Sequence, residues 1–364
     1  MKFWRKSQKG GAEASSLEGG EVEVRRVLII KLTDLRGFVE MLAAAAQIRE
    51  RYVGARVTLL TTAPFKALAE ASPYFDVVEA EAAHAALNES APSASAAGIV
   101  DAIDAARALK IAGRIRAAKF DMIFDFEKSK LTSGFFQLVR IGGAHWSGEV
   151  EGCSHPLHMP ANGSHHPLDV LATQMRDAGV SVREPVLPDM RWLKNALQDA
   201  PRIRPEYFGL RGPYVVLTPS AESADSQSAW PVDKYLELAR RIVAQGAVPV
   251  VLGGSEVRSI GATIAAKEPK AKNLVVRTDV FQTISLCQRA AHVVGDDVET
   301  MHIAAAAGAS CVALLSSLAD LDETTPRGRG GVVAVTAAVV ADLPVEQIDR
   351  QLRNSGAYIQ TGAA

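Results

Sequence analysis

Three cysteines in 364 residues, Cys153, Cys287 and Cys311, are too few, and odd in number, for a disulfide framework. They fit a reducing compartment, and the apolar settings of Cys287 and Cys311 mark those two as core residues. No apolar run approaches the roughly 20 residues that a membrane-spanning helix needs. The basic start, MKFWRKSQKGG, lacks the apolar stretch of a secretory signal. Charge of either sign is not in excess. The net charge is −1, so nothing global draws the chain to nucleic acid, and none is expected as a partner. Two glycine fingerprints are also missing. Without G-x-G-x-x-G the chain does not read as a dinucleotide dehydrogenase, and without G-x-x-x-x-G-K-[ST] it does not read as a P-loop NTPase.

What is present is a globular composition, 48% hydrophobic and 22% charged, with length enough for two cores. Near-continuous apolar runs such as RVLIIKL (Arg26–Leu32) suit buried parallel strands. Further strands are expected at Arg56–Thr61, Asp76–Glu79 and Met122–Phe126. Helices are expected at Phe38–Tyr52, Pro64–Ala71, Ala96–Lys119, from about Ser129, and at Leu168–Ala178. A second series begins at Tyr214–Thr218. Its strands recur at Val248–Leu252, Asn273–Val276, His292–Val294, Cys311–Leu315 and Val332–Val335. Its helices fall at Val232–Ala244, Glu256–Ala266 and Val280–Arg289. The last helix, Pro344–Asn354, is expected to fold back on the first half. Such alternation implies βαβ units and parallel sheets. The expected division is a tail (1–21), a first Rossmann-like domain (22–185), a Pro-rich linker (186–210), a second Rossmann-like domain (211–355) and a short tail (356–364). Two readings stand for the first tail: a segment too polar to fold, or a weak anchor to anionic lipid through residues 2–9, with Phe3 and Trp4 beside Lys2, Arg5, Lys6 and Lys9.

The most informative stretch is Val293–Leu314, VVGDDVETMHIAAAAGASCVAL. A short strand runs into an acidic loop, then into an Ala-rich helix from about Thr300, then into another strand. In an open α/β sheet ligands bind at this place, where helix amides point outward from a strand's carboxyl end. The stretch resembles the donor-nucleotide loop of the heptosyltransferases, glycosyltransferase family 9, whose text is close to V-G-N-D-T-G-P-M-H-x-A-A-A. Gly295, Asp297, Met301, His302 and Ala304–Ala306 match it, while Val298, Glu299 and Thr300 replace Thr-Gly-Pro. The resemblance covers roughly Arg25 to Arg353. It implies an α/β fold of GT-B architecture, two Rossmann-like doubly wound domains facing a central cleft. It also implies an inverting sugar transfer that needs no cofactor and no metal.

Other segments extend the match. RRVLIIKLTDLRGFVEML is similar to the family's I-L-I-I-[RK]-L-S-S-L-G-D-V. Lys31 stands at the basic residue, but Arg36 and Gly37 stand at the Gly-Asp whose Asp is the family's general base. Asp34 on the same loop is the substitute candidate; its alternative task is to cap the following helix. Lys31 either contacts acceptor phosphate or pairs with a local acid. FDMIFDFEKSKLTSGFF resembles Y-D-x-x-[IV]-D-L-Q-G-x-x-[RK]-S. It retains Asp125, with Glu127 at the Gln, and by resemblance Asp125, Lys128 and Lys130 touch the acceptor; the alternative is a solvated lysine pair. VLTPSAESADSQSAWPVDKYLELARRI keeps Pro219, Ala221, Trp230, Pro231 and Tyr235. Ser228 stands where the family has a Lys against the donor pyrophosphate, and Ser220 follows the Pro where the family has Gly. Both serines are donor-side candidates as neutral hydrogen-bond donors. In VPVVLGGSE, Gly253 and Gly254 let backbone approach a nucleotide. Glu256 accepts from ribose or else serves the start of a helix.

Asp296, Asp297 and Glu299 crowd one helix start, where a diphosphate would meet several negative charges. Three readings are open. The acids cap the helix; or a divalent cation bridges them to phosphate; or Glu299 points away while His302 and main-chain amides hold the donor. With Asp297, Met301 and His302 at the nucleotide end, the expected partners are a nucleotide-sugar donor such as ADP-heptose and a glycan or glycolipid acceptor. The work would be done in the cytoplasm or at the inner face of a Gram-negative inner membrane. The rival reading is a GT-B protein without transfer chemistry, binding a sugar, a nucleotide or a partner protein. A cation entering the cleft near the Asp297 loop separates the two, and Arg36, Arg327 and Arg329 are the candidates. Cys153, His155, His158, His165 and His166 lie outside these motifs. They form either a titratable surface loop or, on their C-x-H-x-x-H spacing, a weak zinc candidate.

Overall fold

The computed structural model describes residues 23–81, 105–161, 163–196, 200–221 and 229–356. The first half runs β1 (Arg26–Ile30), α1 (Leu35–Arg51), β2 (Arg56–Thr62), α2 (Ala63–Ala71), β3 (Val77–Glu81), α3 (Ala105–Ala118), β4 (Met122–Asp125), α4 (Lys130–Val139), β5 (His145–Gly148), β6 (His155–Pro156) and α5 (Pro167–Asp177). Its six strands lie in the order β3-β2-β1-β4-β5-β6, and every pairing is parallel. The second half runs α6 (Leu193–Ala196), β7 (Tyr214–Thr218), α7 (Val232–Ala244), β8 (Val248–Val251), α8 (Arg258–Lys267), β9 (Lys272–Asn273), α9 (Val280–Arg289), β10 (His292–Gly295), α10 (Val298–Ala307), β11 (Cys311–Ser316), α11 (Leu321–Thr324), β12 (Val332–Ala337) and α12 (Val345–Asn354). Its order is β12-β11-β10-β7-β8-β9, again parallel throughout. Two doubly wound sheets therefore stand where two were expected.

The central strands RVLII and YVVLT are buried almost to the last residue, as near-continuous apolar runs in a two-sided parallel sheet must be. Strand order reverses direction at one place in each sheet. In the first sheet the chain moves outward from β1 through β2 and β3, then returns to place β4 on the other side of β1. In the second, β7, β8 and β9 go one way and β10 starts the other. The crevices beyond the carboxyl ends of β1/β4 and β7/β10 are the topological switch points where open α/β sheets bind ligands.

Several expectations shift. β5 and β6 are not among the expected strands, because HWSG and the two-residue β6 carry no apolar run to announce them. The strand expected at Asn273–Val276 stops at Asn273. There the Asn273 side chain accepts from Val275 N, and Val276 takes a left-handed φ of 56°. The last helix does not fold back on the first half. Val345, Ile348 and Leu352 complete the core built by Trp230, Tyr235 and Val335 in the second half. Arg241 holds the polar side of α12 through Glu346 and Asp349. The part of the expected Ala96–Lys119 helix before Ala105, the lipid-facing reading of residues 2–9, and Ser228 lie outside the described residues.

The halves meet along α1 and α10. One continuous apolar cluster carries Phe38, Met41 and Ala45 from one side and Met301, Ile303 and Ala304 from the other. Met190 and Arg202 are held to the second half, where Met190 N donates to Ala306 O and Gln282 Nε2 to Arg202 O. No helix among the described residues is long and apolar enough to cross a membrane.

Gly295 ends β10 against β7, and a Cβ there would sit 1.9 Å from Thr218 Oγ1 and 2.2 Å from Thr218 O. Gly295→Ala is expected to destabilise the protein by about 1–3 kcal/mol, the ordinary range for overpacking, read as a lower urea midpoint at unchanged slope.

Candidate functional site

At the first switch point Glu127 reaches across from the loop after β4. Its Oε2 accepts from Leu32 N at 2.9 Å, Thr33 N at 3.1 Å and Thr33 Oγ1 at 3.0 Å. Lys31 Nζ lies 3.5 Å from the same oxygen and 3.6 Å from Asp34 Oδ2. The loop then turns sharply. Asp34 has φ +33°, and its Oδ1 accepts from Gly37 N to cap α1. Lys31 lies across Gly37, where a Cβ would sit 2.7 Å from Lys31 Nζ and 3.0 Å from Asp34 Oδ1 and would displace the lysine end. The Asp34 side chain stays 41% exposed, its Oδ1 capping while its Oδ2 accepts from Thr33 Oγ1 at 3.3 Å and faces Lys31. Asp125 is buried at the end of β4. Its Oδ1 accepts from Glu127 N and Lys128 N, which shapes the turn in which Lys128 takes φ +54°. Burial pushes the Asp125 carboxyl up to about 6. Burial pulls the Lys128 ammonium down, against Glu149 at 3.6 Å. Lys130, the first residue of α4, is exposed.

The second switch point is built the same way around Asp296, which is 6% exposed. It accepts from Ser220 N (2.9 Å), Ser220 Oγ (2.7 Å), Trp230 N (2.6 Å) and the Tyr235 hydroxyl (2.6 Å). Ser220, a donor-side candidate, thus spends its hydroxyl on the loop itself. Met301 is buried beneath, its sulfur 3.4 Å from Thr218 Oγ1. Gly253 has φ +152°, and Gly254 N donates to Glu256 Oε1 at 3.0 Å, so Glu256 curls back over the glycine pair. Asp297 stands at the N-cap of α10, yet its side chain takes the Thr300 hydroxyl instead of capping helix amides. Within the acid cluster Asp296 pins a loop, and Asp297, at the N-cap, binds a hydroxyl of the helix's first turn.

Glu299 is half-buried in the first turn of α10. Burial first, then Asp297, Asp34 and Glu256, push its carboxyl up to about 7. Burial also raises Asp297, with Asp296 and Glu256 adding to it. Asp34 from one half and Glu256, Asp297 and Glu299 from the other thus share one electrostatic environment. These acids follow the carboxyl ends of β1, β8 and β10, so both halves contribute negative charge there.

His302 is expected at the nucleotide. In the structure both ring nitrogens belong to the seam between the halves, Nδ1 at 3.1 Å from Glu40 Oε1 and Nε2 at 3.2 Å from Thr324 O. Both partners are acceptors, so the ring satisfies both only by donating from both nitrogens. Burial alone would raise the Glu40 carboxyl, but His302 and Arg36 together hold it below the ordinary range. The segment after β11 is strapped down residue by residue. Arg36 Nη2 donates to Glu323 O at 2.5 Å, His302 reaches Thr324 O, and His166 Nε2 lies 3.1 Å from Thr325 O. Arg327 donates to both Asp169 oxygens at 2.9 Å and to Asp322 at 3.1 Å, and Ser164 Oγ and His165 N bond Asp322 at 2.8 Å. Arg36 and Arg327 are thereby occupied in the seam, and Arg329 lies 3.5 Å from Asp189. None of the three candidate cations stands free at the Asp297 loop. Among the described residues no three His, Cys, Asp or Glu side chains converge to hold a metal ion. The Cys153 and histidine segment is dispersed: His155 and His158 bond Asp177, and His166 caps α5.

Glu127 and Glu40 carry no site role in the sequence reading, and Asp296 enters it only as one of three crowded acids, not as the clamp it is. Glu40 alone carried a local signal, a carboxylate on the apolar face of α1 four residues after Arg36.

Residues 184–328 match the model of glycosyltransferase family 9 (heptosyltransferase). Among solved structures, the E. coli ADP-heptose lps heptosyltransferase II is 17% identical with a TM-score of 0.66, covering 91% of this chain and 98% of its own. A family 9 glycosyl transferase from Veillonella parvula is 12% identical with a TM-score of 0.73, covering 92% and 98%. The E. coli heptosyltransferase WaaC with ADP is 14% identical with a TM-score of 0.68, covering 91% and 99%. At these identities the likeness is one of fold, and the fold is GT-B. No curated protein matches the chain.

Two outcomes test the site's physics. Asp296→Ala leaves the Ser220 and Trp230 amides and the buried Tyr235 hydroxyl without their acceptor. It is expected to cost about 3 kcal/mol or more in chemical denaturation. Glu299 keeps its proton in the folded state up to about 7 but loses it near the ordinary value of 4.5 when unfolded. The folded state therefore binds more protons in that window, and stability falls as pH rises through it. Glu299→Gln is expected to melt higher than the parent at pH 8, with the gap closing toward pH 4. A gap that stays constant with pH would show that Glu299 is not held protonated.

Proposed function

We propose that this chain, whose residues 184–328 match the glycosyltransferase family 9 model and whose fold is GT-B, is an inverting glycosyltransferase. It moves a sugar, heptose first among candidates, from a nucleotide-diphosphate donor to a lipopolysaccharide-core or other cell-envelope glycan acceptor. The proposed setting is the cytoplasmic side of an inner membrane. The observation that carries this reading is the convergence of the two switch points. Asp34 on the acceptor side is near enough to Glu299 on the donor side to raise its pKa. The solved E. coli relatives, with ADP and with an ADP-heptose analogue, support an adenosine diphosphate as the first donor to try.

In this reading the acceptor hydroxyl attacks the anomeric carbon while the bond from that carbon to the diphosphate oxygen breaks. The hydroxyl proton passes to Asp34 Oδ2, the oxygen not used in the cap. Lys31, at 3.6 Å, holds that carboxylate in place and supplies positive charge at the acceptor edge. Main-chain amides at the start of α10 and at Gly253 receive the nucleotide end, the Gly254 amide being held by Glu256. Protonated Glu299 lowers the negative charge that a diphosphate would meet.

One observation favours a second reading, a GT-B protein that binds a nucleotide or sugar without transferring it. Arg36, Arg327 and Arg329 are all engaged with acids or carbonyls away from the donor loop. A leaving diphosphate normally draws large electrostatic stabilisation, and these three do not supply it.

Calorimetric titration with ADP, UDP, GDP and ADP-heptose, with and without Mg²⁺, separates the readings when paired with a transfer assay. Transfer is expected from one donor. Asp34→Asn, which preserves the cap, is expected to lower kcat by about a hundredfold or more with donor affinity unchanged. An Asp34→Asn enzyme of parental kcat removes Asp34 as the base. Binding without transfer moves the protein to the second reading, and no binding at millimolar concentration removes the donor site.

A further inference from the structure

α3 and α4 lie side by side over one face of the first sheet. Their inward residues, among them Ile111, Ile115, Phe135 and Val139, close the core with Leu28, Ile30 and Trp146. Their outward sides carry charge of one sign only. Residues 105–119 and 130–145 contain no aspartate or glutamate. Arg107 and Arg114 turn to Glu81 at the sheet edge. Lys110, Arg116, Lys119, Lys130 and Arg140 are exposed and have no acidic partner among the described residues. On the same two helices and the turn after them, Leu109, Leu138 and Ile141 are 58%, 43% and 80% exposed.

A lone exposed aliphatic residue is ordinary, but three here share two helices whose unpaired charges are all positive. Exposed aliphatic side chains gain nothing from water, and unpaired cations side by side repel. Both are satisfied by one kind of partner, a surface with an apolar interior beneath a layer of anionic headgroups. A nucleic acid would take the cations and leave the aliphatic residues wet. The face also begins where the acceptor-side loop ends, because Ser129 caps α4 two residues after Glu127.

We propose that the outer face of α3 and α4 docks on an anionic phospholipid bilayer, with Leu109, Leu138 and Ile141 entering the interface and Lys110, Arg116 and Arg140 set against the headgroups. Docking does not depend on transfer chemistry. An acceptor-side loop beside a bilayer suits a glycolipid, but the surface would bind lipid even in a protein without activity.

The test is co-sedimentation of the full chain with vesicles of phosphatidylcholine alone and of phosphatidylcholine mixed with phosphatidylglycerol. Binding is expected only to the mixed vesicles, weakening as salt is added. Lys110→Ser/Arg116→Ser/Arg140→Ser is expected to bind about a hundredfold more weakly, from about fivefold for each cation removed. Leu138→Ser/Ile141→Ser changes exposed positions only, so it reads the same face should the charge variant fold poorly. It is expected to lose binding at high salt first. A third variant, Lys2→Ser/Arg5→Ser/Lys6→Ser/Lys9→Ser, is expected to bind like the parent. The proposal is overturned by no binding to anionic vesicles, by parental binding in both face variants, or by loss of binding in the third variant alone.

Discussion

Two carboxylates hold the molecule's working edge together. In each sheet the strand order reverses once, leaving two loops side by side with no ladder to join them. Glu127 spans the first gap by accepting from Leu32 and Thr33, and Asp296 spans the second by accepting from Ser220 and Trp230. Each is an anion among main-chain amides, buried where water cannot compete and where charge-assisted bonds are strongest. Everything proposed for the cleft hangs from these clamps. Lys31 and Asp34 follow directly from the loop that Glu127 fixes, and the start of α10 follows from the loop that Asp296 fixes.

The sheets were legible because burial on both faces leaves a trace in a single segment. RVLII and YVVLT announce themselves without knowledge of their neighbours. β5 and β6 leave no such trace, since a short strand near the sheet edge needs few apolar residues. At the site, residue types were legible and partners were not. Asp297, Asp34 and Glu256 could be named from local text. The clamps join residues 95 and 76 positions apart, and no local pattern encodes such a pairing. His302 is a case where the motif names a residue but not its partners. The histidine stands where the family's does, but Glu40, 262 residues away by the numbering of the pair, decides what its ring is doing.

The glycine at position 37 and the lysine at position 31 form one unit. Because the helix start carries no side chain there, the Lys31 ammonium lies across it and meets both Asp34 and Glu127. A carboxylate introduced at 37 would compete for that ammonium. The loop's charge is therefore a property of four positions together, and a family residue restored singly would enter a different electrostatic setting from the one it left.

The strap after β11 has a further consequence. Glu323, Thr324 and Thr325 offer three successive carbonyls, held by Arg36, His302 and His166, and the adjoining Arg327 and Asp322 are locked to Asp169 and Ser164. These contacts share one short rigid backbone, so they cannot slip past one another singly. Relative motion of the halves would be a concerted event, a zipper that is shut or open. The time the cleft spends open would then be governed by a barrier to release, and exchange of any occupant would be slow and steeply dependent on temperature.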